Sequence, residues 1–120
     1  MFRIMLKSKI HRAKITEAQL YYQGSITIDS RLMRAADILE GEKVEVLNVN
    51  TGERIETYAI SGKAGSGQIC LNGPAARKGF VGDEIVIVAY ALVEDKKAGK
   101  ISPKIVFVDG KNKIRKKSAT

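Results

Sequence analysis

The chain has 120 residues and a mass of 13.1 kDa, with 21 Lys and Arg against 13 Asp and Glu and a formal net charge of +8. That length supports one domain, residues 1–120, with one core; no apolar run of about 18 residues is present to cross a membrane, and Arg3 and Lys7 interrupt the amino terminus too early for a secretory signal. The single cysteine, Cys70, excludes an internal disulfide framework and suits a reducing compartment, so a cytoplasmic location is expected.

The charge is unevenly distributed. Residues 96–120 hold nine Lys and Arg against one acid, Asp109, which leaves 12 of each sign in residues 1–95. The basic excess therefore belongs to a carboxy-terminal tail, expected to be variable and partly disordered. Its terminal cluster, Lys111 to Lys117, lacks interleaved aromatics that could stack on bases. Nucleic-acid binding by a non-enzymatic basic barrel is thus kept only as the alternative reading.

Residues 2–18 alternate imperfectly between apolar and basic positions and predict extended chain with a break near His11-Arg12. A short strand over 25–29 follows, then a helix from Arg31 to Leu39, capped by Ser30 and stopped at Gly41. Residues 43–50 and 53–60 flank Thr51-Gly52 and predict a β-hairpin with a tight turn. The glycine-rich stretch 61–67 does not match a phosphate-cradling loop and is read as a flexible connection. A strand from Gln68 to Leu71 leads to a helical turn over Pro74 to Lys78. The apolar run from Glu84 to Val93 predicts a strand buried on both faces, and Lys104 to Val108 another. Many short strands with two brief helices predict a mainly β fold, a small barrel.

With one histidine and one cysteine, no zinc site of ordinary composition fits within one chain. No Gly-X-Ser-X-Gly elbow and no dinucleotide fingerprint is present. Attention falls on Gly24-Ser25. A serine hydroxyl can attack the preceding carbonyl, and glycine there removes the side chain that would crowd the attack. Elimination from the resulting ester gives dehydroalanine, and hydrolysis leaves a pyruvoyl ketone. Such a ketone forms a Schiff base with an amine and withdraws electrons, the task pyridoxal phosphate performs elsewhere. A second pair, Gly65-Ser66, has no comparable companions and is read as loop.

Four blocks stand in order around that bond: Lys9-Ile10-His11-Arg12, Tyr22-Gln23-Gly24-Ser25, Gly52-Glu53-Arg54 with Thr57-Tyr58-Ala59-Ile60, and Asn72-Gly73. From Met1 to about Val93 the chain resembles the aspartate 1-decarboxylase family. The resemblance implies a six-stranded double-psi β-barrel and a homotetramer with sites between subunits. It implies cleavage into a β chain, residues 1–24, and an α chain, residues 25–120. It further implies a covalent pyruvoyl cofactor derived from Ser25, without pyridoxal phosphate or metal, and a maturation factor in some relatives. L-Aspartate would lose its α-carboxylate to give β-alanine for pantothenate and coenzyme A synthesis.

The resemblance also implies roles by position. Arg54 and Lys9 bind substrate carboxylates, a task suited to the planar guanidinium fork. Tyr58 is the proton donor. Thr57 assists the acyl shift at Gly24, and Asn72 orients the ester and then the substrate. Tyr22 joins the processing group, while Gly73, Ala75 and His11 complete the substrate-binding set. Arg54 and Tyr58 share strand parity and Thr57 does not, so either the strand bulges near Thr57 or these residues act on different parts of the site. Pro74 departs from the alanine expected there and removes one backbone donor.

Overall fold

The computed structural model describes residues 1–116. Strand β1 (Phe2–Lys14) is long but twice interrupted, with register shifts between Leu6 and Ser8 and between Ile10 and Ala13. Arg12, at φ 62°, sits in the second shift, where the sequence predicted a break. Such bulges bend a strand enough to close a wall. The chain then passes through Ile15 and Thr16, whose N–H groups donate to Asp83 O and Ile69 O at 3.0 and 2.8 Å, into β2 (Glu17–Gln19).

The remaining strands are β3 (Ser25–Asp29), β4 (Lys43–Asn48), β5 (Arg54–Gly62), β6 (Ile69–Asn72), β7 (Glu84–Glu94), β8 (Lys104–Val108) and β9 (Ile114–Arg115). Their order across the sheet is β2-β6-β3-β5-β4-β7-β1-β8-β9. Because β2 continues β1 along the chain, the run from β6 to β7 is closed at both ends by one bent segment. This is the six-stranded barrel of the sequence reading; the count of nine arises because β1 and β2 form one wall and β8 and β9 are added outside it. Ile10, Ile26, Ile28, Val44, Val46, Ile69, Leu71, Ile85 and Ile87 fill the interior, each no more than 2% exposed. Each such side chain contributes about 1.5–3 kcal/mol by leaving water.

Several local expectations are corrected. Helix α1 (Ser30–Ala35) is capped by Asp29, whose carboxylate accepts from Arg31 N at 2.8 Å, and not by Ser30. It ends early because Asp37 takes a left-handed φ of 56°. Ile38 N then donates to Met33 O and Asp37 N to Arg34 O, the paired bonds that close a helix C-terminus. Leu39, expected in the helix, is 71% exposed. The 43–60 hairpin has a longer turn than a two-residue one, since Asn48 Oδ1 accepts from Asn50 N and Thr51 N and Asn48 N donates to Glu53 O. The predicted helical turn is a 3₁₀ turn over Gly73–Lys78, and a third short helix, α2 (Asp95–Ala98), was not foreseen.

The glycine-rich loop is tied down. Gly65 N and Gly67 N donate to the two oxygens of the buried Asp29 carboxylate at 3.0 and 2.8 Å, and Asn112 Nδ2 donates to Gly67 O at 2.8 Å. Strand β7 is buried on both faces only from Ile85 to Ala89. Beyond its pairing with β4 it pairs with β1 alone, leaving Tyr90 and Leu92 40% and 69% exposed.

Candidate active site

Strands β3 and β6 run antiparallel with Ser25 opposite Asn72, Ile26 opposite Leu71 and Thr27 opposite Cys70. Side chains alternate, so Ile26 and Leu71 enter the barrel core while Ser25, Thr27, Cys70 and Asn72 share the other face. There they form one hydrogen-bonded cluster. Asn72 Nδ2 donates to Ser25 Oγ at 3.0 Å and to Thr27 Oγ1 at 2.9 Å, and the Cys70 thiol donates to Asn72 Oδ1 at 3.1 Å. Ser25, Asn72 and Cys70 are 1%, 2% and 3% exposed. Burial, followed by the nearby Glu17 carboxylate, pushes the Cys70 thiol above its ordinary value and keeps it protonated.

The φ of Ser25, 131°, lies where side-chain-bearing residues rarely sit. Strain of this kind costs on the order of 1–3 kcal/mol and persists only where the surroundings impose it. The surroundings here include Gly73, at φ 60°, whose backbone abuts that of Tyr22 and Gly24. Gly24 itself has open space where a side chain would stand.

Gly24 and Ser25 line a pocket of about 300 Å³ together with Ile55, Glu56, Thr57, Pro74, Ala75 and Lys78. That volume is at the low end for ligand sites and suits a small substrate. The structure thus brings together Gly24, Ser25, Thr57, Asn72, Gly73 and Ala75.

The other predicted residues do not line that pocket. The register of β5 against β4 is continuous from Arg54 to Tyr58, so no bulge reconciles Thr57 with its neighbours. Arg54, Glu56 and Tyr58 are exposed, whereas Thr57 is half-buried and Ala59 buried. Arg54 is held by Glu45 at 3.3 Å, an exposed pair of the kind that contributes less than about 1 kcal/mol. Lys9 and His11 sit on β1, which pairs with β7 and β8 and not with β3. His11 packs edge-on against Phe107 at 5.7 Å between ring centroids. Burial, then the Lys9 and Arg12 charges, lower its pKa and favour the neutral imidazole. Tyr22 is 54% exposed, on the segment leading into Gly24.

Among the described residues no group of three His, Cys, Asp or Glu could hold a metal ion, and no helix is long and apolar enough to cross a membrane. Sequence reasoning missed Thr27, Cys70 and Lys78. The first two carried a usable signal, since they stand two residues from Ser25 and Asn72 on strands that place such positions on one face.

Residues 1–115 match the family model described as aspartate decarboxylase. The chain belongs to the aspartate decarboxylase family. Aspartate 1-decarboxylase of Thermoanaerobacter pseudethanolicus is 59% identical over 94% of this chain and 97% of its own. The enzyme of that name from Caldicellulosiruptor saccharolyticus is 61% identical over 95% and 89%, and that from Campylobacter curvus 60% identical over 94% and 96%. Among solved structures, the rationally designed mkDPBB_sym_86 protein shares 18% identity at a TM-score of 0.46, covering 70% of this chain and 95% of its own.

Proposed function

We propose that this member of the aspartate decarboxylase family cleaves itself between Gly24 and Ser25 and, through the group so formed, converts L-aspartate to β-alanine and carbon dioxide. The reaction would serve pantothenate and coenzyme A synthesis. The observation that carries this reading is the strained, buried Ser25 whose Oγ accepts from Asn72 Nδ2. Nothing favours nucleic-acid binding by the tail.

In the self-cleavage, Ser25 Oγ bonds to the Gly24 carbonyl carbon as the Gly24–Ser25 C–N bond breaks, and the hydroxyl proton passes to the freed amine. Loss of the Ser25 Cα proton then breaks the ester O–Cβ bond, releasing the Gly24 carboxylate and leaving dehydroalanine. Water replaces its nitrogen, which leaves as ammonia. The Ser25 site fits this chemistry: the Asn72 donor faces the nucleophilic oxygen, and Thr57 shares the pocket wall with Gly24.

The pyruvoyl group supplies an electrophilic carbonyl and an electron sink, with no need for pyridoxal phosphate or metal. Arg54 and Lys9 hold the two substrate carboxylates, Arg54 by exchanging its weak Glu45 contact for a bidentate grip. Tyr58 returns a proton to the carbon that loses carbon dioxide. Asn72, Gly73, Ala75 and Thr57 shape the pocket around substrate, while Tyr22 assists processing and His11 completes the substrate-binding set.

Lys9, Arg54 and Tyr58 do not line the pocket at Ser25, which supports a homotetramer in which a neighbouring copy completes each site. Exposed Ile4, Tyr90 and Leu92 add apolar surface for such contacts. A maturation factor that raises the strain at Ser25 would act on the same bond. Incubation with L-aspartate, with β-alanine quantified, tests the reading. Wild type should accumulate it and Ser25→Ala should not; equal production by both would refute it.

A further inference from the structure

Asn72 has three polar contacts to distribute, and how they are distributed decides what it presents to Ser25. If the amide were turned over, Oδ1 would face the two hydroxyls and Nδ2 would face the Cys70 sulfur, a weak acceptor. The thiol is a donor held 3.1 Å from Oδ1. It therefore selects the orientation in which both N–H bonds point to oxygen. Thr27 Oγ1 accepts one of them at 2.9 Å and fixes the amide plane, leaving the other aimed at Ser25 Oγ at 3.0 Å.

Resting on the self-cleavage proposed above, we infer that Cys70 and Thr27 are positioning residues for that reaction, acting through the Asn72 amide. Negative charge develops on Ser25 Oγ as its proton leaves and the bond to the Gly24 carbonyl carbon forms. An N–H aimed at that oxygen beforehand stabilises the charge without reorganisation. Donation from the thiol into Oδ1 polarises the amide and strengthens the N–H on its far side. Cys70, ordinarily a small apolar strand residue, here has a directional task.

The test follows cleavage of full-length chains by intact mass, from early purification onward. Cys70→Ala and Thr27→Val should each slow the appearance of the 1–24 and 25–120 fragments by about tenfold, the loss of one hydrogen bond. Cys70→Ser and Thr27→Ser, which restore the donor and the acceptor, should stay within about threefold of wild type. Unfolding midpoints compared in a Ser25→Ala background separate a positioning effect from loss of fold. Wild-type rates in Cys70→Ala and Thr27→Val would overturn the inference, as would a Cys70→Ser chain as slow as Cys70→Ala.

If wild type itself never cleaves, the functional reading fails and the inference is judged separately by NMR. The Asn72 side-chain amide protons should be protected from solvent exchange in wild type and Cys70→Ser and exposed in Cys70→Ala. Equal protection in all three would overturn it.

Discussion

The backbone of Gly73 lies directly against that of Gly24. A Cβ built on Gly73 would stand 2.9 Å from Tyr22 O, 3.0 Å from Gly24 Cα and 3.1 Å from Gly24 N. Gly73 also adopts φ 60°, which costs a residue with a side chain about 1–2 kcal/mol. Gly73→Ala should therefore lower stability by about that amount and displace the scissile segment from Asn72. Intact-mass time courses should show cleavage slowed by about tenfold or more, since a misplacement of this size costs a positioned reaction at least that much.

Arg54 and Tyr58 lie on the opposite side of β5 from Thr57, so their substitution should leave cleavage nearly intact. Tyr58→Phe is predicted to lower kcat by about 10²–10⁴-fold, the usual contribution of one proton donor, with a small change in KM. Arg54→Ala should act chiefly on KM for aspartate. Steady-state kinetics on fully cleaved protein separate the two effects, and a Tyr58→Phe chain with wild-type kcat would remove Tyr58 from its role.

Asp29 makes the fold pH-dependent. Burial alone would raise its pKa, but N–H donation from Gly67, Arg31 and Gly65, with the Lys113 ammonium nearby, holds it below the ordinary 3.8. A depressed folded-state value means that this stabilisation is present in full above 3.8 and is lost as the pH falls through the lower folded value. Asp29→Asn puts an amide donor against one of these N–H groups. It should cost about 1–3 kcal/mol at pH 7, and the gap from wild type should narrow below pH ~4 in denaturant titrations.

Asn112 fastens the added β8–β9 unit to the barrel. Its side chain is 1% exposed, accepts from Lys14 N and donates to Lys14 O and Gly67 O, each at 2.8 Å. Asn112→Ala leaves these groups without partners and is predicted to destabilise by about 2–4 kcal/mol, read from the urea midpoint.

Much of the barrel was readable from residue pattern. The bulge at His11-Arg12 and strand β3 follow from local alternation, because the pleat forces it, and the buried half of β7 from an almost unbroken apolar run. The helix after β3 was misjudged because its end is set by Asp37 turning left-handed, which no periodicity reveals. The glycine-rich loop looked flexible because its anchors, Asp29 and Asn112, are distant in sequence. At the site, the motif blocks pointed to Ser25, Thr57 and Asn72, while strand parity left open a bulge near Thr57 or action on different parts of the site, and the continuous β4–β5 register removes the bulge. Thr27 and Cys70 escaped notice because their importance lies in the β3–β6 register, a long-range pairing. The tail shows a similar limit: β8, β9 and Asn112 lie within the basic stretch, while Lys117, the end of its dense cluster, lies outside the described residues.

Every role proposed for Ser25 requires that the chain itself cut the bond between Gly24 and Ser25. Intact-mass analysis of the purified protein, followed by Edman degradation of the larger fragment, tests it most directly. Two fragments split at residue 24 are expected, the larger blocked at its amino terminus, together with a Ser25→Ala chain that stays whole and makes no β-alanine. A single uncleaved chain that still converts aspartate to β-alanine would contradict it.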